Sequence, residues 1–341
     1  MNKNRLFLAA FITLAQSFLI SGCSDEKSTS EKKGKETHQD ASVKQEKAEV
    51  SREGTPSSVT EAKESGGGEA KSSFMAQKTK EINIAEILDR IYANTTGKIS
   101  DEEKDKIEAH KTSATYGEVK PEGMIQILYY LESLFPELFT NRDNVYFSDI
   151  GSGRALVPVG FALLTGWHCS GIEISESRHK VAVYGLENLG RFFPQYEDVA
   201  KSIRVINQDA LEIPFKEVVI GKATPKNPQW LFWISSLCFP DDFMVKLAAK
   251  MEKELPNGTI IVTSKALPIK DNDRIQLIEI THFKMTWTDK SKTHIYYVDK
   301  PKSKKVAEYR SIREKAKASE AKNEELSGLI DQRLGADSKK S

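Results

Sequence analysis

Between residues 145 and 263 five short apolar runs alternate with stretches of helical periodicity, and this alternation constrains the fold more than any other feature. The strand-like runs are 145–148, 169–172, 203–206, 230–234 and 259–263, and the helical runs between them include 177–192 and 243–253. Strands that alternate with helices form a parallel sheet wrapped by helices, since each parallel neighbour needs a long crossover. Downstream, 276–287 and 293–298, joined by 288–292, read as an antiparallel hairpin added to that sheet, and Pro256-Asn257-Gly258 as the turn before the fifth strand. Upstream, Ile84, Ile87, Leu88 and Ile91 recur at helical spacing, Ser100-Asp-Glu-Glu103 resembles a capping box, and Met124, Ile127, Leu128 and Leu131 form a further stripe. The expected architecture is α/β: a mostly parallel sheet with a C-terminal antiparallel hairpin and an N-terminal helical region.

The first strand runs into a turn that reads Tyr146-Phe-Ser-Asp149-Ile-Gly151-Ser152-Gly153. Glycine lets backbone turn sharply and approach a ligand closely. An open parallel sheet binds its ligand beyond the carboxyl ends of its strands. Asp149, Glu173, Asp209 and Ser235 all fall at such ends. An acid in the place of Glu173 commonly takes a ribose hydroxyl pair. Asp209 has a donor-accepting role to offer an adenine amino group, and also reads as a helix N-cap. A dinucleotide fingerprint needs a third glycine, and Leu156 stands in its place. Asp-x-Gly-x-Gly without it is closer to the S-adenosylmethionine (SAM) site of class I, Rossmann-like methyltransferases.

Four more segments bear on function: Thr115-Tyr116-Gly117-Glu118, Ile234-Ser235-Ser236-Leu237-Cys238-Phe239, Val262-Thr263-Ser264-Lys265 and Trp287-Thr288. In this order, over about residues 112 to 299, the chain resembles the disruptor-of-telomeric-silencing family, non-SET lysine methyltransferases of class I fold that modify the globular core of histone H3. The resemblance implies that Tyr116, Gly117 and Glu118 cover the methionine part of SAM. It implies that Asp149, Gly151, Ser152 and Gly153 hold its amino-acid end, Glu173 its ribose and Asp209 its adenine. Ser235 or Ser236 would line a lysine channel, with Tyr296 or Tyr297 as an aromatic wall. Three departures stand out: Ser235-Ser236-Leu237 where the family has Asn-Asn-Phe, Val119 in place of a hydroxyl, and Ala155 in place of a glycine.

The remaining sequence divides the chain. Lys3 and Arg5, the apolar run 6–20 and Ile20-Ser21-Gly22-Cys23 resemble a bacterial lipoprotein signal, 1–22, with Cys23 carrying lipid. Residues 23–79 read as a disordered tether, because a polar stretch without aromatics up to about residue 73 cannot offset its ordering entropy. An N-terminal helical region, 80–130, a methyltransferase domain, 131–299, and a basic tail, 300–341, follow. The tail carries twelve Lys/Arg against seven Asp/Glu, a net of +5, and presents a possible contact for nucleic acid or an acidic surface. The whole chain has a formal net charge of +1, which excludes a global basic field. Cys169 and Cys238 are expected as buried free thiols, no metal spacing occurs, and none of the histidines is assigned catalysis.

The expected function is a SAM-dependent protein-lysine methyltransferase of the bacterial envelope, lipid-anchored or delivered to a host cell, with histone H3 or the nucleosome as protein substrate. SAM is made in the cytosol, so an exported enzyme meets its cofactor elsewhere. The alternatives are methylation of another protein or a small molecule, and a non-catalytic ligand- or partner-binding surface lipoprotein.

Overall fold

The computed structural model describes residues 73–109, 117–221, 225–270 and 273–318. The signal, Cys23, most of the tether, Tyr116 and the end of the basic tail lie outside them.

The central strands are β1 (Val145–Ile150), β2 (His168–Glu173), β3 (Arg204–Asn207), β4 (Gln229–Ile234) and β5 (Ile260–Thr263). β1, β4 and β5 are buried almost throughout because they are apolar on both sides, as a sheet covered on both faces requires, whereas the edge strand β3 is half-buried. β6 (Ile275–Phe283) and β7 (Ser291–Val298) close the sheet. The strand order is β3-β2-β1-β4-β5-β7-β6, parallel except for β7, which runs antiparallel to both β5 and β6. This is the Rossmann-like methyltransferase arrangement that the alternation and the hairpin predict. The reversal of order between β1 and β4 places a cleft at the carboxyl ends of the strands.

Side chains alternate across the sheet and divide the core in two. One face joins Phe147, Cys169, Trp233 and Ile295 to α1 (Phe74–Glu81), α2 (Ile84–Ile91), α4 (Pro121–Leu134), α6 (Leu156–Thr165) and α7 (Glu176–Phe192). The other joins Ile150, Phe232, Ile261 and Tyr296 to α9 (Phe215–Val219) and α10 (Asp241–Glu254). Shorter helices are α3 (Asp101–Ala109), α5 (Glu137–Thr140) and α8 (Glu197–Ser202).

Several expectations are corrected. α1 begins at Phe74, before the boundary set at 80, because the Ser73 side chain accepts from the Ala76 N–H and the Glu132 carboxylate accepts from the Phe74 and Met75 N–H groups. α4 runs unbroken across the 130/131 boundary. β6 stops at Phe283 rather than reaching Trp287. Past it, Val119 and Met285 form a bridge, and the Thr286 N–H donates to the Glu118 carbonyl, so 284–287 pair with the 117–119 segment instead. Residues 304–318 are helical and pack on the core through Val306 and Tyr309, which are buried. The early part of the basic tail is therefore part of the fold.

Candidate cofactor site

The turn after β1 is built by residues that accept a left-handed backbone. Gly151 has φ +75° and Gly153 φ +55°, which only glycine adopts without cost. Ala155 has φ +63°, so the missing family glycine is a position that still demands glycine geometry. The N–H groups of Gly151 and Ser152 both donate to the Ile172 carbonyl, which pins the turn to β2. Gly171 is needed for this: a Cβ there would lie 2.6 Å from the Ser152 side chain.

Glu173 ties the two glycine-side turns together. One carboxylate oxygen accepts from the Gly153 N–H (2.7 Å) and the other from the Ser175 N–H (2.8 Å). Burial pushes its carboxyl above the ordinary range, against the bonds from those two N–H groups and the nearby Arg178 charge. Asp149, beside it, is 3% exposed, and its Oδ1 has no hydrogen-bond partner among the described residues. Burial first, and the Glu173 charge second, push the Asp149 carboxyl well above the carboxylate range. An isolated carboxylate is expensive to bury. Burial therefore disfavours the ionised form of Asp149, and a cation beside it would favour that form.

A cavity of about 240 Å³ opens at these strand ends, lined by Gly151, Glu173, Asp209 and Ser235 with an apolar wall of Leu237, Phe239, Phe243 and Trp287. A smaller one of about 20 Å³ adjoins it between Gly117, Asp149, Ser152 and Ser235. The two cavities thus bring together Asp149, Glu173, Asp209 and Ser235 from the strand ends with Gly151 of the turn and Gly117. Asp209 has Oδ1 engaged by the Leu211 N–H at 2.8 Å, in a turn rather than at a helix cap.

Other placements differ from expectation. Ser236 is fully buried; its hydroxyl lies 2.5 Å from that of Thr263 and accepts from the Lys265 N–H, so it serves the loop after β4 and does not line the cavity. Lys265 adds a bond from Nζ to the Phe239 carbonyl (3.0 Å) and pairs with Asp241, which fixes the same loop. Tyr296 is 2% exposed and its hydroxyl accepts from the Leu267 N–H, which commits it to the core. Cys238 is exposed in a short 3₁₀ turn and lines the cavity, whereas Cys169 is buried as expected. Glu103 completes only half of a capping box. Its N–H donates to Ser100, but its side chain reaches Ser175 and Ser177 instead of turning back.

Sequence reasoning missed Arg154 and Arg178. Arg154 pairs with Glu118 (2.6 Å), and Arg178 is buried, lines the cavity and donates to the Gly97 carbonyl at 2.9 Å. It also gave no role to Trp287, whose ring faces Gly117 so closely that a Cβ there would lie 2.6 Å away. Among the described residues no cluster of His, Cys, Asp and Glu could hold a metal ion, and no helix is long and apolar enough to cross a membrane.

No family model matches the chain. A Caenorhabditis elegans protein described as histone-lysine N-methyltransferase, H3 lysine-79 specific, is 29% identical over 157 residues, which are 46% of this chain and 15% of that protein. The chain thus spans a small fraction of the relative it matches. An RNA methyltransferase from Salinibacter ruber, solved with S-adenosyl-L-homocysteine, is 18% identical over 51% of this chain and 92% of its own, with a TM-score of 0.32. A putative RNA methyltransferase from Pyrococcus horikoshii is 13% identical over 65% and 98%, with a TM-score of 0.37. What defines the fold is the strand order of this chain itself.

Proposed function

We propose that this chain is a SAM-dependent methyltransferase whose acceptor is a protein lysine. The observation that carries the cofactor is Asp149: a buried carboxylate with an unpartnered oxygen beside a glycine turn, in a cleft lined by a second strand-end acid. That donor set fits a ligand with a cationic amino end and a hydroxylated ring. Asp149 would take the ammonium. Glu173 keeps a lone pair on each oxygen for ribose hydroxyls after serving Gly153 and Ser175. Asp209 would accept from the adenine amino group. When bound, SAM supplies an activated methyl group on a sulfonium. The apolar wall of Leu237, Phe239 and Trp287 would keep water out and hold an amine in line, which is most of what such a transfer asks of a protein. A deprotonated amine needs no strong base there.

The ordered motifs and the relative described as H3-specific support a lysine acceptor. A different protein or a small molecule as acceptor is supported by the Ser-Ser pair. Ser236 is spent on Thr263 and Lys265, and Ser235 is shorter than the asparagine of the resembled family.

Calorimetric titration with SAM and S-adenosyl-L-homocysteine tests the cofactor. Asp149→Ala and Glu173→Ala should each cost about 1.5–3 kcal/mol of binding, the loss of a hydrogen bond to a charged group. Unchanged affinity in both folded variants refutes the cofactor. Mass spectrometry after incubation with nucleosomes and free histones tests the acceptor. Binding of SAM with neither substrate methylated would move the assignment to the second acceptor class.

A further inference from the structure

Residues 92–103 are bonded to both turns that Glu173 joins, the one after β1 through Arg154 and the one after β2 through Ser175 and Arg178. Arg154, in the turn after β1, donates through Nε to Glu118 Oε1 (2.8 Å) and through Nη1 to the Thr95 hydroxyl (3.0 Å), with its guanidinium over the Tyr92 ring at 5.4 Å. Arg178, in the first turn of α7, reaches the Gly97 carbonyl, and Glu103 accepts from the Ser175 hydroxyl at 2.7 Å. Burial alone would raise the Glu103 carboxyl, but the bonds from Ser177 and Ser175 outweigh it and hold it low. Glu173 joins the same two turns through the N–H groups of Gly153 and Ser175. The 92–103 segment and Glu173 thus bond the same two turns.

We propose that Arg154 is a positioning residue that latches the 92–103 strap and the Glu118 segment onto the glycine turn, so that cofactor binding and docking of the strap reinforce each other. This rests on the cofactor reading given above. Arginine is required because one planar group must pair with a carboxylate, bond a hydroxyl and stack on an aromatic ring at once. Lysine supplies a point charge and cannot do all three. The pair is only 13% and 20% exposed, so it is not an ordinary surface ion pair. A ligand that fixes the turns lowers the entropy still to be lost on docking the strap, and the reverse holds equally.

The test uses the full chain, with S-adenosyl-L-homocysteine as the probe. Hydrogen exchange of wild-type protein should show protection of residues 92–103 rising on addition of the probe. Arg154→Leu, which keeps an apolar stem against Tyr92, should weaken probe affinity by at least about tenfold, the loss of a charge-assisted bond. Arg154→Lys should recover only a minor part, and adding Glu118→Gln to Arg154→Leu should weaken it little further. Protection of 92–103 that does not change with the probe overturns the latch, as does wild-type affinity in a folded Arg154→Leu variant. Wild-type protein that does not bind the probe at all would instead overturn the cofactor reading.

Discussion

Asp149 makes a prediction about pH. Its carboxyl is raised in the fold by burial and by the Glu173 charge. The fold prefers the neutral acid, so this stabilising contribution is present below the ordinary carboxylate range and is lost as pH rises through the raised value. A cation bound beside it lowers that value, and binding therefore releases a proton. SAM affinity should rise with pH across the range in which free Asp149 titrates, and Asp149→Asn should flatten that rise while weakening binding at neutral pH. Titrations in buffers of different ionisation heat measure the proton directly, and an unchanged proton release in Asp149→Asn would falsify the assignment. Ala155 makes a second prediction at this scale. A non-glycine residue at φ +63° costs about 1–2 kcal/mol, and Gly at that site gives back part of it in unfolded-state entropy. Ala155→Gly should raise stability by roughly 0.5–1 kcal/mol, read as a shift in the urea midpoint at constant m-value.

At the scale of elements, close packing rests on a few small residues. α2 and α7 meet at Gly185, where an added Cβ would sit 2.1 Å from the Tyr92 ring. Tyr92 also carries the Arg154 guanidinium on its ring, so this contact bears on the turn after β1. Gly185→Ala should destabilise by about 1–3 kcal/mol through overpacking, visible in chemical denaturation. Chemical denaturation alone reports the packing; a parallel fall in probe affinity would show that the strap depends on Tyr92. The sheet and its strand ends were legible because buried parallel strands read as short apolar runs while the crossover helices carry a helical period. Asp149 and Glu173 could be placed from the sequence because each directly follows a strand-like run, and Asp209 because it stands just beyond one. What was not legible depends on partners distant in sequence. Arg154 meets Glu118 and Thr95 across 36 and 59 positions, and nothing local marks it. Glu103 fits a capping box by spacing, yet Ser175 and Ser177, 72 and 74 positions away, claim its side chain. Residues 284–287 keep a strand-like composition but pair with 118–119, and the Lys284 carbonyl lies so close to Gly123 that a Cβ there would be 1.9 Å away.

At the scale of the whole molecule, the net charge of the C-terminal segment suggested an arm for phosphate or an acidic partner, and the fold assigns much of that charge internally. β6 is an edge strand with a bulge between Leu277 and Glu279, which leaves backbone groups for another chain to pair with. Helical residues 304–318 cover it. Arg310 donates from Nε (2.9 Å) and Nη2 (2.6 Å) to the Leu277 carbonyl. Glu279, whose side chain is 2% exposed, pairs with Arg313 (2.8 Å) and Lys317 (2.6 Å). Tyr309 packs edge-on against Phe135 at 4.8 Å and donates to Glu137. Removing Arg313 leaves Glu279 buried with one mostly exposed cation, so Arg313→Ala should cost about 1–3 kcal/mol. Truncation after residue 303 also loses the burial of Val306 and Tyr309, roughly 3–6 kcal/mol more at 1.5–3 kcal/mol for each side chain. The truncated chain should unfold at lower urea and self-associate through β6, seen in light scattering. A free basic arm would behave differently: its loss would leave stability unchanged and reduce only the salt dependence of nucleosome binding. Arg313→Ala separates the two. Lower stability with unchanged salt dependence marks a structural clasp, and wild-type stability with a shallower salt slope would restore the arm.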